Sequence, residues 1–119
     1  MAVAVIRRGD YLIASIQSDL SDTEVLDLRR DLLDRVGRDR LRGIVVDVAA
    51  LDVIDSFVAR ALRDIAVSAR LRGAETIVVG IQPEVAIAMV YFKLDLHPLQ
   101  TALDLDEALD RLEGLAARG

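Results

Sequence analysis

Four oxygen-bearing side chains fall within one short stretch of this chain: Asp47, Asp52, Asp55 and Ser56. They lie where an apolar run ends at Val48, a short loop crosses, and a helix begins near Asp55 or Ser56. In open α/β sheets, sites gather outside the carboxyl ends of the strands. Position alone therefore makes Ser56 a candidate. A serine there can act as a nucleophile, accept a phosphoryl group, or cap the helix by accepting a backbone N–H bond, and Asp55 can cap equally well.

The surrounding residues argue against catalysis. A serine-hydrolase elbow reads Gly-x-Ser-x-Gly and needs a histidine base. Here Ile54 and Val58 stand where the glycines belong, and the one histidine is His97, beside Pro98 in a loop-like segment. Asp47, at the end of a strand, is the kind of position at which receiver domains are phosphorylated. Those domains also need an acidic pair after the first strand and a lysine after the last. The first turn offers only Asp10, and Lys93 precedes the last expected strand. Asp47 is better read as satisfying loop backbone donors. Asp47, Asp52 and Asp55 could supply oxygens to Mg²⁺ or Ca²⁺, but their spacing matches no calcium loop, and acids before a helix start already suit its dipole. No phosphate-binding glycine loop is present. The expectation is a protein with no catalytic residues, no metal and no cofactor.

The composition sets the frame for these residues. A chain of 119 residues holds one core, so a single domain over 1–119 is expected. Apolar residues make up 53% and aromatics only 3%, so Val, Ile, Leu and Ala must fill that core. There is no cysteine, which excludes disulfides and thiolate metal sites. No apolar run approaches the roughly 20 residues of a membrane span, and no signal peptide is evident after Arg7 and Arg8. A cytoplasmic protein without a membrane partner is the expectation. The net charge of −5 argues against nucleic acid as a partner. Arg60, Arg63, Arg70 and Arg72 could form a local basic stripe, but a solvated helix face is the better reading of them.

The elements that must position Ser56 follow from periodicity. Val3–Ile6 and Tyr11–Ile16 read as strands joined by a hairpin turn at Arg8-Gly9-Asp10. Ser21 and Glu24 have capping-box spacing and open a helix carrying Val25, Leu28, Leu32 and Val36, which ends close to Gly37. Asp31 with Arg35, and Asp34 with Arg38, are spaced to pair on its wet side. Ile44–Val48 is a β-branched run suited to a strand buried on both faces. The next helix carries Phe57, Val58, Ala61, Leu62, Ile65, Ala66 and Ala69, with Gly73 beyond it. Thr76–Val79 is another buried strand. Pro83 suits the first position of a helix reaching about Met89 or Val90. Leu99–Leu103 reads as a last strand, and Asp104 and Glu107 open a final helix with Leu105, Ala108, Leu109 and Leu112 inward. The order β-β-α-β-α-β-α-β-α predicts one α/β domain, a single mixed sheet flanked by helices.

Three segments in this order carry a resemblance: Ile54-Asp55-Ser56-Phe57, Gly80-Ile81-Gln82-Pro83 and Thr101-Ala102-Leu103-Asp104-Leu105. With Ser15-Ile16-Gln17, and over nearly the whole chain, they resemble the STAS fold, in its branch of RsbS-type stressosome antagonists. The resemblance implies a non-catalytic scaffold and regulator that joins RsbR-like co-antagonists in homo- and hetero-oligomers. Such a complex sequesters an RsbT-like serine/threonine switch kinase and releases it when a serine at the start of the second helix is phosphorylated; a serine phosphatase resets it. The matching position here is Ser56, capping retained beside it. Asp52, Asp55, Phe57 and Arg60 are then the partner-binding residues of the switch loop and helix start. Simple anti-sigma factor antagonists usually carry Gly soon after the phosphoserine, whereas Phe57 follows here, which favours the stressosome branch. A stand-alone anti-sigma factor antagonist and a pure assembly adaptor of the same fold are the alternatives.

Overall fold

The computed structural model describes residues 3–97 and 99–118; Pro98 lies outside them. Its elements are β1 (Val3–Arg8), β2 (Tyr11–Ile16), α1 (Asp22–Asp39), β3 (Gly43–Asp47), α2 (Ser56–Leu71), β4 (Glu75–Val79), α3 (Pro83–Tyr91), β5 (Gln100–Ala102) and α4 (Leu105–Arg118). This is the order expected from the sequence. The strands form one sheet in the order β1-β2-β3-β4-β5, with β1 antiparallel to β2 and the remaining pairs parallel. Gly9 turns the hairpin at φ +61°, which the first central position of a two-residue type II′ loop requires.

Alternation along the strands sorts the core into two layers. Leu12, Ala14, Ile44, Val46 and Val78 face one side, where α1, α2 and α3 contribute Leu32, Val36, Leu62, Ile65, Val85 and Met89. Tyr11, Ile13, Val45, Ile77 and Val79 face the other, where α4 contributes Ala108 and Leu112. The inner strand β3 is therefore sealed on both faces, as its β-branched run requires. Burial raises the Tyr11 hydroxyl's pKa above its ordinary value, with Glu113 beside it acting in the same direction.

The helix ends show how locally the chain encodes its boundaries. Ser21 Oγ accepts from the Glu24 N–H at 3.2 Å while Glu24 Oε1 accepts from the Ser21 N–H at 3.0 Å, a complete capping box. Asp104 Oδ1 accepts from the Glu107 N–H at 2.9 Å, and Glu107 Oε2 accepts from the Leu103 N–H.

Several boundaries differ from the sequence expectations. α1 passes through Gly37 and ends at a left-handed Arg40, φ +52°. Gly37 is a packing residue instead, because the guanidinium of Arg72 occupies the space a Cβ would need. Asp31 pairs with Arg35 at 3.3 Å, whereas Arg38 turns to Asp39 at 3.6 Å and not to Asp34. β3 starts at Gly43 and stops at Asp47, although the Val48 N–H still bonds to the Val79 carbonyl of β4. β5 is only Gln100–Ala102, with the Leu99 N–H folded back onto Leu96. Arg70 reaches Glu75 at 3.3 Å and Arg72 lies against Gly37, so two of the four arginines are engaged within the chain and do not form a basic stripe.

Candidate functional site

The segment from Val48 to Asp55 bridges β3 to α2 at the carboxyl end of the parallel strands. Its outline comes from alternating anchors and exposed residues. Val48, Leu51 and Ile54 are buried in the α1–α2–α3 core, while Asp52, Val53 and Asp55 face outward. Asp47 Oδ1 accepts the Ala49 N–H at 2.9 Å, as expected of a carboxylate that satisfies loop donors. Leu51 donates its N–H to the Val48 carbonyl at 3.0 Å.

The neighbouring loop holds this one from the side. Gln82 Nε2 donates to the Ala49 carbonyl at 2.7 Å. Gly80 adopts φ +80°, and a Cβ there would stand 2.9 Å from Ala49 Cβ and 3.1 Å from Asp47 Oδ1. Only glycine combines that dihedral with so close an approach.

Asp55 is the N-cap of α2. Its backbone is extended and its Oδ1 accepts the Val58 N–H at 2.9 Å. Ser56 is then the first helical residue, and the cap role expected for it alongside phosphorylation is overturned. The reason is geometric: the acid one residue earlier has the extended backbone and already satisfies the orphan donor. The hydroxyl of Ser56 is left exposed at the positive end of a 16-residue helix.

Ser56 also stands on the rim of an apolar groove of about 440 Å³, lined by Asp52, Val53, Asp55, Val85, Ala88 and Phe92 among others. A second apolar depression, of about 260 Å³ between α1 and α2, shares Val53 and Asp55 with it. The β3–α2 loop is thus a ridge between two hollows. Beyond the groove, α3 carries a single charged residue, Glu84, and with its C-cap Phe92 leaves Ile87, Val90, Tyr91 and Phe92 between 68% and 79% exposed. A helix apolar on nearly every side is normally covered.

The site residues expected from sequence are partly brought together. Ser56, Asp52 and Asp55 share the groove. Phe57 is half-buried and lines neither hollow. Arg60 is exposed one helical turn beyond Ser56, on the same face. His97 is exposed in the connection from α3 to β5, its N–H bonded to Asp95 Oδ1 at 2.8 Å. Sequence reasoning missed Val53, the α3 residue Ala88 and Phe92 just past the end of α3. The available signal was the run of apolar residues from Val85 to Phe92, too continuous for a helix with a wet face.

Comparison with known proteins gives a consistent result. The family model described as STAS domain matches residues 2–108. A solved serine-to-glutamate variant of RsbS from Moorella thermoacetica is 35% identical, with a TM-score of 0.82 over 98% of this chain and 99% of that one. A structure of the stressosome, described as a signal integration and transduction hub, contains a chain 34% identical, with a TM-score of 0.73 over 95% of this chain and 98% of the other. The RsbT co-antagonist protein RsbRD of Bacillus subtilis is 31% identical over 78 residues, or 66% of this chain. This chain spans only 28% of that relative's length. The mixed five-stranded sheet, the helix order and the matched residues agree: the chain belongs to the STAS-domain family.

Proposed function

We propose that this chain is a non-catalytic regulator and scaffold of a stressosome-type complex, switched by phosphorylation of Ser56. In the unmodified state it assembles with RsbR-like STAS co-antagonists and holds an RsbT-like serine/threonine kinase. Modification of Ser56 releases the kinase, and a serine phosphatase restores the hydroxyl. The setting is cytoplasmic, and the domain acts as a single unit over 1–119, without metal, cofactor, nucleic acid or membrane.

One observation carries this reading: an exposed serine hydroxyl at the first position of α2, on the rim of an uncovered apolar groove. Transfer of a phosphoryl group from a nucleotide held by the kinase forms the Oγ–P bond and leaves the nucleoside diphosphate with the kinase. The product carries a charge of about −1.5 to −2 at neutral pH. The helix N-terminus favours that charge by about 0.3–1 kcal/mol, and Arg60 at i+4 adds about 0.2–0.5 kcal/mol. Asp52 and Asp55 oppose it. The remaining effect falls on whatever packs over the groove, where a dianion at the rim must lose its water or expel the partner. The similarity to RsbS and to a chain of the stressosome supports the same reading.

The test is incubation with the kinase encoded nearby and ATP, read by intact mass and sizing. One phosphate is expected on the native chain and none on Ser56→Ala, which keeps kinase binding; Ser56→Asp weakens it. Stoichiometric phosphate on Ser56→Ala would place the switch elsewhere. A chain that assembles but never gains phosphate would be an adaptor only.

A further inference from the structure

The hollow of about 260 Å³ between α1 and α2 plays no part in the reading given to Ser56. Its floor is apolar: Val25 and Leu28 of α1, Leu51 of the β3–α2 loop, and Leu62 and Ile65 of α2 are all buried. Its mouth is made of exposed residues, Val53 and the two carboxylates Asp19 and Asp55. A cavity of about 150 Å³ with apolar walls holds one benzene. This one has room for a ring and a short arm.

The charge around the mouth has one sign. No basic residue lines the hollow. Arg29, which follows Leu28 on α1, is held at 3.3 Å by Asp64 of α2, so its charge is already answered. Among the described residues neither Asp19 nor Asp55 has a basic partner. Asp55 Oδ1 accepts the Val58 N–H, and its second oxygen is left to the solvent. Both helices begin beside the hollow, and each start carries about half a positive charge. Asp22 and Glu24 in the first turn of α1, with Asp55 at the cap of α2, outweigh the two starts, and Asp19 adds to the excess.

We propose that this hollow binds a small monocationic amphiphile, an apolar body about the size of one ring bearing a single ammonium group. The body fills the space between α1 and α2 and displaces water from Val25, Leu28 and Ile65. The ammonium stays at the mouth beside Asp19 and Asp55, still wetted on its outer side, so little desolvation opposes it. An anion of the same shape is repelled by both carboxylates, and a neutral analogue gains nothing from them. The floor sets the size of the ligand and the mouth sets its charge. Val53 and Asp55 also border the groove that carries Ser56, so an occupant braces the β3–α2 loop from its far side. Binding itself is independent of the role given to Ser56.

Titration of the full chain with 2-phenylethylammonium, followed by amide chemical shifts, tests the proposal. Saturable shifts are expected within residues 16–28 and 51–65. The neutral 2-phenylethanol should bind about fivefold more weakly, the scale of one exposed ion pair, and 3-phenylpropionate more weakly again. Asp19→Asn should narrow the gap between amine and alcohol while leaving the alcohol unchanged. Ala61→Leu, at a buried position in the wall, fills the hollow and should abolish binding of all three. Should that variant fail to fold, Val53→Arg at the exposed mouth sets a fixed cation beside the two acids, weakening the amine and sparing the alcohol. No saturable shift, an alcohol or a carboxylate bound as tightly as the amine, indifference to Asp19→Asn, or shifts centred on Ala88 and Phe92 would each overturn the proposal. So would amides around the hollow that respond only to a second copy of the chain or to a partner protein, because the occupant would then be a protein side chain.

Discussion

The side chain of Gln82 reaches across from the β4–α3 loop and donates to the carbonyl of Ala49 at 2.7 Å, fastening the segment that leads to Ser56. Two loops that are far apart in sequence thereby become one surface. Gly80, whose missing Cβ leaves room for Ala49, allows the approach. Gln82→Ala should lower unfolding free energy by about 0.5–1.5 kcal/mol, the usual net value of one such bond. The more specific outcome is faster amide exchange confined to residues 49–55, measured by hydrogen–deuterium exchange. Unchanged exchange there would mean the buried Leu51 and Ile54 suffice as anchors.

Adjacent residues at the helix start should behave differently. Asp55→Ala removes the cap and should destabilise the domain by about 0.5–2 kcal/mol in urea denaturation. Ser56→Ala, one residue on, should stay within about 0.5 kcal/mol of the native chain. Equal losses at the two positions would contradict the assignment of the cap to Asp55.

Substitutions on the exposed apolar face of α3 should separate the proposed partner binding from stability. Phe92→Ala and Ile87→Ala should each leave the unfolding free energy within about 0.5 kcal/mol, because neither side chain contributes to the core. Kinase or co-antagonist binding, measured by calorimetry, should weaken markedly for Phe92→Ala, which shares the groove with Ser56. Ile65→Ala, in the core, should instead lose about 2–5 kcal/mol of stability.

Acid should loosen α1 at its start. Glu24 holds its carboxyl pKa below the ordinary value of 4.5, chiefly through the backbone N–H of Ser21 and also through the Ser21 side chain. The folded state thus favours the ionised form. This contribution is fully present above the ordinary carboxylate range and is lost as pH falls through the depressed folded value. Denaturation midpoints of the native chain and of Glu24→Gln should differ at neutral pH and converge in acid. A constant gap across the titration would show that the capping box depends on shape and not on charge.

Much of this architecture is legible in the residue pattern. The Ser21–Glu24 box, the β-branched run of β3 and the Asp104–Glu107 pair encode their own boundaries through short-range chemistry. Ser56 and the two acids beside it are legible for the same reason, since a strand end followed by a helix start is a local signal. What escapes is tertiary. Nothing near Gly37 in sequence says that Arg72 will lie over it, and nothing around Ala49 names Gln82 as its partner. The choice between Asp55 and Ser56 as cap depended on one residue of backbone phase, which periodicity does not resolve. Arg38 had two acids within reach, and only the packed helix end decided for Asp39.

Because α2 begins at Ser56, its first amide groups point toward whatever that hydroxyl carries. For a phosphate there, the favourable helix start and the opposing Asp52 and Asp55 act against each other, so the modified and unmodified chains should melt at nearly the same temperature. On the proposed reading, the charge at Ser56 would then be felt only by a protein that covers the start of α2, and one seated elsewhere on the domain would not register it.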